Sequence, residues 1–134
     1  MVEGIVKSEN SLISEINLEQ SCLTGEGLYS LCYLSGLDLQ ILNLANNDLG
    51  NEACQHIRHI MPTIVELNLS NTKMGLRGCC DLVRGFEEEA PRLQILDLSR
   101  NSIESEGFAK LLQKLKHSKT ITSLNVSEND FSLF

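Results

Sequence analysis

The sequence predicts an α/β solenoid in which one short strand and one helix recur along the chain. Two observations predict it. An apolar skeleton, Leu-x-x-Leu-x-Leu-x-x-Asn-x-Leu, occurs five times, starting at Ile13, Leu39, Ile64, Leu93 and Ile121, with spacings of 26, 25, 29 and 28 residues. Between the first four copies and their successors, the apolar residues change to a spacing of three to four, which is helical.

The five skeletons are filled as follows. Ile13, Ile16, Leu18, Ser21 and Leu23 make the first, and Leu39, Leu42, Leu44, Asn47 and Leu49 the second. Ile64, Leu67, Leu69, Thr72 and Met74 make the third, Leu93, Leu96, Leu98, Asn101 and Ile103 the fourth, and Ile121, Leu124, Val126, Asn129 and Phe131 the fifth. Positions four and six alternate inward on a short parallel strand. The Asn at position nine turns the corner, where its amide satisfies backbone groups that leave the ladder. Ser21 and Thr72 replace it with a hydroxyl, which has fewer bonding sites, so the first and third turns are expected to be looser.

Each helix opens on a small residue, Gly27, Ala53, Gly78 or Gly107, that allows close approach to the strand layer. Leu31, Ile57, Leu82 and Leu111 follow, then Leu34, Ile60, Phe86 and Leu115, which predicts an amphipathic helix of about three turns in each repeat. Gly36, Pro62 and Pro91 come after the first, second and third helices, where a helix stops.

With strand, corner and helix combined, the chain resembles the ribonuclease-inhibitor type of leucine-rich repeat over residues 13 to 131. The resemblance implies an arc, with parallel strands on the concave face and helices on the convex face. It also implies a protein partner, since such proteins include enzyme inhibitors, GTPase regulators and actin-capping modules. Short single-domain examples occur among effectors that bacteria deliver into the host cytosol.

Length and composition set bounds. A single domain over residues 1–134 is expected from one unbroken array. Hydrophobic residues make up 42% and aromatic residues 4%, with no Trp, which fits an interior filled by Leu and Ile. The net charge of −7 disfavours nucleic acid, whose binding depends on neutralising phosphates. Lys110, Lys114, Lys116 and Lys119 read as a solvated face near a helix end, and Glu87, Glu88 and Glu89 as exposed. Met1 to Ser11 lacks the apolar run of a secretory signal, and no stretch approaches a membrane span. Five Cys at unpaired spacings predict a reduced, cytoplasmic setting. Cys54, His56 and His59 do not complete a four-ligand set, so neither metal nor cofactor is expected. The sequons at Asn68 and Asn125 fall within predicted strands and read as repeat rhythm.

Strand alternation then selects the side chains on the inner face of the arc. Position three supplies Glu15, Ile41, Glu66, Ile95 and Ser123, and position five supplies Asn17, Asn43, Asn68, Asp97 and Asn125. Position seven adds Glu19, Ala45, Ser70, Ser99 and Ser127; position eight adds Gln20, Asn46, Asn71, Arg100 and Glu128. The position-five column also reads as a ladder that supports the sheet. Ile41 and Ile95 are apolar where alternation demands exposure, which marks a contact surface. The partner-binding set is therefore Glu15, Asn17, Glu19, Ile41, Asn43, Glu66, Asn68, Ile95, Asp97, Arg100 and Asn125. Its acidic bias suits a protein with a basic or polar patch. Five strands span about 19 Å, and with their rim approach the ~800 Å² per side of a standard interface.

The catalytic search finds no nucleophile elbow, phosphate loop or metalloprotease motif, and places His56, His59 and His117 away from the acids. The expected role is a non-enzymatic binder, which by the resemblance inhibits or regulates a partner enzyme. The other reading is a scaffold or a cytoskeletal or GTPase-regulating adaptor. At the C-terminus Phe131, Leu133 and Phe134 either fold over the last repeat or leave an edge for another chain; self-capping and a monomer are expected.

Overall fold

The computed structural model describes residues 12–88 and 92–131; Met1–Ser11, Glu89, Pro91, Leu133 and Phe134, which enter the sequence expectations, lie outside them. Among the described residues nine elements follow in strict alternation. They are β1 (Glu15–Asn17), α1 (Gly25–Tyr29, continued by a π-helical turn Ser30–Leu34), β2 (Ile41–Asn43), α2 (Ala53–Ile57), β3 (Glu66–Asn68), α3 (Leu76–Glu88), β4 (Ile95–Asp97), α4 (Glu104–Leu115) and β5 (Ser123–Asn125). The strands form one parallel sheet in the order β1-β2-β3-β4-β5. This is the α/β solenoid expected from the periodicity.

The register follows the repeat numbering. Ile16, Leu42, Leu67, Leu96 and Leu124 stand side by side as the middle residues of successive strands. Leu42, Leu67 and Leu96 are buried, while Ile16 and Leu124, each with one neighbouring rung, are half-buried. Leu39, Ile64 and Leu93 before the strands, and Leu44, Leu69 and Leu98 after them, are fully enclosed and join one continuous core. Each repeat buries its apolar edge only by stacking on the next.

Repeat length decides helix length. The third and fourth repeats, at 29 and 28 residues, hold helices of 13 and 12 residues. The second, at 25, holds five helical residues. Its path then tightens into bonds of the i→i+3 type, such as His59 N–H to the His56 carbonyl and Ile60 N–H to the Ile57 carbonyl. The three-turn expectation thus fails at α2: too few residues separate Leu49 from Ile64, and Pro62 can donate no bond to continue the helix. In the first repeat the chain leaves the helix through Ser35 and Gly36, whose φ of +67° is the usual conformation just past a helix end.

The small residues at the helix starts do what their size predicts. A Cβ at Gly78 would lie 2.8 Å from Met74 Cγ and 3.2 Å from Asn51 Cα. One at Gly107 would lie 2.8 Å from Ile103 Cγ2. Either substitution forces a shift of the corner residues packed against that helix start.

The corners correct the sequence expectation. Asn47 Oδ1 accepts the N–H groups of Ser21 and Leu23, one repeat earlier, at 3.2 and 2.9 Å. Asn101 does the same for Thr72 and Met74, and Asn129 for Ile103. The turns at Ser21 and Thr72 are therefore held from outside, and their hydroxyls donate to the carbonyls of Leu18 and Leu69. Where the following repeat has Thr72 instead of Asn, its backbone carbonyl accepts from Leu49 and Gly50 at 3.2 and 2.9 Å. Both hydroxyl corners carry an extra left-handed residue directly after the hydroxyl, Cys22 (φ 58°) and Lys73 (φ 64°), whereas the Asn47 and Asn101 corners carry theirs two residues later, at Gly50 (φ 76°) and Glu104 (φ 67°).

Candidate functional site

The outward side of the sheet is built from positions three and five. The register sets Glu15, Ile41, Glu66, Ile95 and Ser123 in one row, and Asn17, Asn43, Asn68, Asp97 and Asn125 in the next. Acidic and apolar side chains therefore alternate across the first four rungs, at about 4.8 Å per rung. A depression of about 270 Å³ lies over these strands, and Glu15, Asn17, Ile41, Asn43, Glu66, Asn68, Ile95 and Asp97 all line it. Eight of the eleven expected residues thus share one surface. Glu19, Arg100 and Asn125 lie beyond that lining.

The second row has a local job. Each of its side-chain oxygens accepts the N–H two residues on: Asn17 from Glu19, Asn43 from Ala45, Asn68 from Ser70, Asp97 from Ser99 and Asn125 from Ser127, all at 2.9–3.0 Å. These bonds end each strand after three residues and turn the chain. They act inside each repeat, in place of the side-chain ladder weighed for this column; across rungs, Asn125 Nδ2 donates to Asp97 at 3.5 Å.

The strands end sooner than simple alternation requires, which alters position seven. Ala45 and Ser99 are buried, at 4% and 6% exposure, instead of facing a partner. The next residue of every repeat is left-handed: Gln20 (φ 50°), Asn46 (59°), Asn71 (51°), Arg100 (56°) and Glu128 (54°). This conformation carries the position-eight side chains to the rim. There Asn46 bonds Glu19 at 3.2 Å, Asn71 bonds Asn46 at 2.9 Å, and Arg100 pairs with Glu128 at 2.8 Å. Asn43 donates to Glu19 as well, at 3.1 Å. Glu19 is thus tied into the rim, and Arg100 already has a carboxylate partner.

Ile95 is 39% exposed, beside Glu66, and Ile41 is half-buried between Glu15 and Glu66. Such a row presents apolar area and negative charge on a rigid sheet. No group here is arranged as a nucleophile with a base: His56 belongs to α2, His59 to the turn after it and His117 to the end of α4. Among the described residues no group of three or more His, Cys, Asp and Glu could hold a metal, and no helix is long and apolar enough to cross a membrane.

Sequence reasoning missed two features. One is Asn51, whose Oδ1 accepts the N–H groups of Gly75 and Gly78 at 2.7 and 2.9 Å and so caps α3 from the preceding repeat. The capping signal exists in the sequence, but it lies 25 residues before the helix it serves. The other is a cluster of Tyr and His rings on the helical side, legible only once the first two helices are set side by side.

Comparison with known proteins agrees with this architecture. The leucine-rich repeat family model matches residues 38–59, 91–112 and 117–132. The chain is 29% identical over 128 residues to NACHT, LRR and PYD domains-containing protein 14 of Mus musculus, covering 91% of this chain and 13% of that protein. It is 25% identical over 123 residues to the ribonuclease inhibitor of Sus scrofa, covering 87% of this chain and 27% of the inhibitor. The chain thus spans only a fraction of the length of these relatives. Among solved structures, the leiomodin-1 actin-binding site 2 superposes with a TM-score of 0.75 at 21% identity, over 97% of this chain and 78% of that one. With its matched repeats, its parallel ladder of leucines and its strand–helix alternation, the chain is a leucine-rich repeat solenoid similar to proteins of the ribonuclease-inhibitor type.

Proposed function

We propose that this chain is a protein-recognition module whose concave sheet face binds a partner protein and regulates it. The observation that carries the reading is the row Glu15, Ile41, Glu66 and Ile95, set side by side over one depression. Apolar side chains beside carboxylates suit a partner surface on which Lys or Arg side chains adjoin apolar ones. The charges contribute mainly to encounter rate and selectivity, and the isoleucines to buried area. A depression of about 270 Å³ spread over four strands is shallow for a small molecule, which is usually enclosed by a cleft of ~300 Å³ or more.

The likeness to ribonuclease inhibitor supports an enzyme as partner, with the arc covering its active-site entrance, and supports a binder that is not itself an enzyme. Five free cysteines, including exposed Cys22, suit a reduced cytosolic setting, whether in its own cell or, for an effector, a host cell. The chain acts as a monomer in this reading. The likeness to leiomodin-1 is one of fold, so actin enters as an arm of the test.

Affinity capture with the intact chain, followed by direct titration of the captured protein and of purified actin, tests the reading. Ile41→Asp, Glu66→Lys and Ile95→Asp are each expected to weaken binding about tenfold or more, with thermal stability little changed. Loss of the partner's catalytic rate on saturation supports regulation by occlusion. Full binding by all three variants would show that the partner sits elsewhere.

A further inference from the structure

The helical side of the first two repeats carries a surface that the concave-face reading does not use. Tyr29 and Tyr33 are the only two tyrosines of the chain, and it has no Trp. Their rings stack with centroids 4.5 Å apart, and Tyr33 also meets His59 at 4.1 Å. His56 closes the group edge-on, 5.5 Å from Tyr33 and 6.0 Å from Tyr29, with Nδ1 3.4 Å from the Tyr33 hydroxyl. Tyr33 therefore touches two rings, Tyr29 stacked on it and His59 tilted by 53° to it. The stack is not core: Tyr29 is 47% exposed, Tyr33 38%, and the adjoining Leu34 55%. The turn that carries Tyr33 is π-helical, an unusual conformation that recurs at functional sites.

The charges around the stack have one sign. Glu26 lies one helical turn before Tyr29 on α1, on the same face. Asp38 lines a groove of about 230 Å³ together with Tyr33 and His59. Glu52 lies one turn before His56. All three are exposed, and among the described residues none of their carboxylates has an ion-pair partner. Arg58, the nearest basic residue in sequence, packs its stem against α3, where its Cγ lies 3.3 Å from where a Cβ on Gly85 would be.

We propose that this convex patch binds an arginine-bearing segment of another protein, with one guanidinium laid on the outer face of Tyr29 beside Glu26 and a second in the groove beside Asp38. A guanidinium is flat, weakly hydrated and permanently charged, so it can stack on a ring and pair with a carboxylate at once. A lysine ammonium meets only the charge. A nucleic acid would bring phosphates against the carboxylates of Glu26, Asp38 and Glu52. A proline-rich segment needs open slots between rings, and Tyr29 and Tyr33 already fill theirs by stacking on each other.

Because the two tyrosines are the chain's only strong fluorophores, tyrosine emission reports this patch directly. The test titrates the intact chain with the tyrosine-free peptide acetyl-Gly-Arg-Gly-Gly-Arg-Gly-amide, and with its lysine counterpart. Saturable change with the arginine peptide is expected, with the lysine peptide weaker by about threefold and Tyr29→Ala weakening the arginine peptide by about fivefold. Tyr29→Phe, which keeps the ring face, is expected to bind as the wild type, and Glu26→Gln with Asp38→Asn to weaken it. Ile41→Asp, on the opposite side of the fold, should leave the titration unchanged, so this proposal and the concave-face reading fail separately. The proposal is overturned if the arginine peptide gives no saturable change at millimolar concentration, if the lysine peptide binds as tightly, or if Tyr29→Ala binds like the wild type. Self-association by sedimentation that Tyr29→Ala abolishes would assign the patch to a second copy instead.

Discussion

Asn101 Oδ1 accepts the backbone N–H of Thr72 at 3.1 Å, across 29 residues of sequence, and so holds a corner that belongs to the preceding repeat. The same amide accepts from Met74 at 3.0 Å and donates to the carbonyls of Leu69, Leu98 and Ser99 at 2.9–3.1 Å. All of this is buried, where an unpaired N–H or C=O is costly. Replacing Asn101 with Ala is expected to destabilise the chain by about 2–4 kcal/mol, because several backbone groups lose their partner together. Asn129→Ala, in the half-buried last repeat, should cost less. Urea unfolding of the two variants checks the order.

Asn51 predicts a second long-range dependence. Its Oδ1 is the acceptor for Gly75 and Gly78, at the start of the 13-residue α3. Asn51→Ala is expected to cost about 1–2 kcal/mol, and Asn51→Asp to preserve most of the stability since an acceptor remains beside a helix N-terminus. Amide hydrogen exchange should show the loss of protection at Gly75 and Gly78, in the third repeat, rather than around residue 51.

Lys73 offers a change in the opposite direction. Its φ of 64° is left-handed, and its side chain is exposed. Lys73→Gly is expected to raise stability by about 0.5–1 kcal/mol, since glycine adopts this conformation without the steric cost of a Cβ. A higher urea midpoint with an unchanged slope would agree; a lower midpoint would show that the lysine stem contributes packing that outweighs the backbone term.

The thiols predict a pH dependence. Burial pushes the Cys32 and Cys79 thiols up to about 12, and raises Cys54 further, with the nearby Cys79 and Asp81 adding to the shift. Unfolded thiols ionise near ~8.5, so between that pH and about 12 the unfolded chain releases protons that the folded one keeps. Stability is therefore full below ~8.5 and falls as pH rises through that window. A lower urea midpoint at pH 10 than at pH 8, reduced by Cys54→Ala relative to its own pH 8 value, checks the sign. At pH 8 a disulfide reagent should modify exposed Cys22 well before Cys54.

The architecture was legible because it rests on periodic burial. Leu42, Leu67 and Leu96 occupy one inward column, and any reading of the skeleton places them there. The row of Glu15, Ile41, Glu66 and Ile95 follows from the same period of two. Position seven was not legible, because the Asn or Asp at position five bends the chain before alternation can continue, and Ala45 and Ser99 turn inward as a result. The corners hide for a related reason. Ser21 and Thr72 offer only a hydroxyl of their own, whereas their N–H groups are satisfied by Asn47 and Asn101. Bonds that join one repeat to the next leave no local pattern. The Tyr29, Tyr33, His56 and His59 cluster is hidden in the same way, since it joins two helices and neither half is unusual alone.

The backward reach of Asn47, Asn101 and Asn129 gives the molecule a direction. As the chain leaves a ribosome, each bend stays unfinished until the following rung has been made, so assembly is completed from behind. Removing the final rung should accordingly loosen the bend at Ile103 one rung upstream, and damage from successive deletions at that end should always run one rung deeper than the cut.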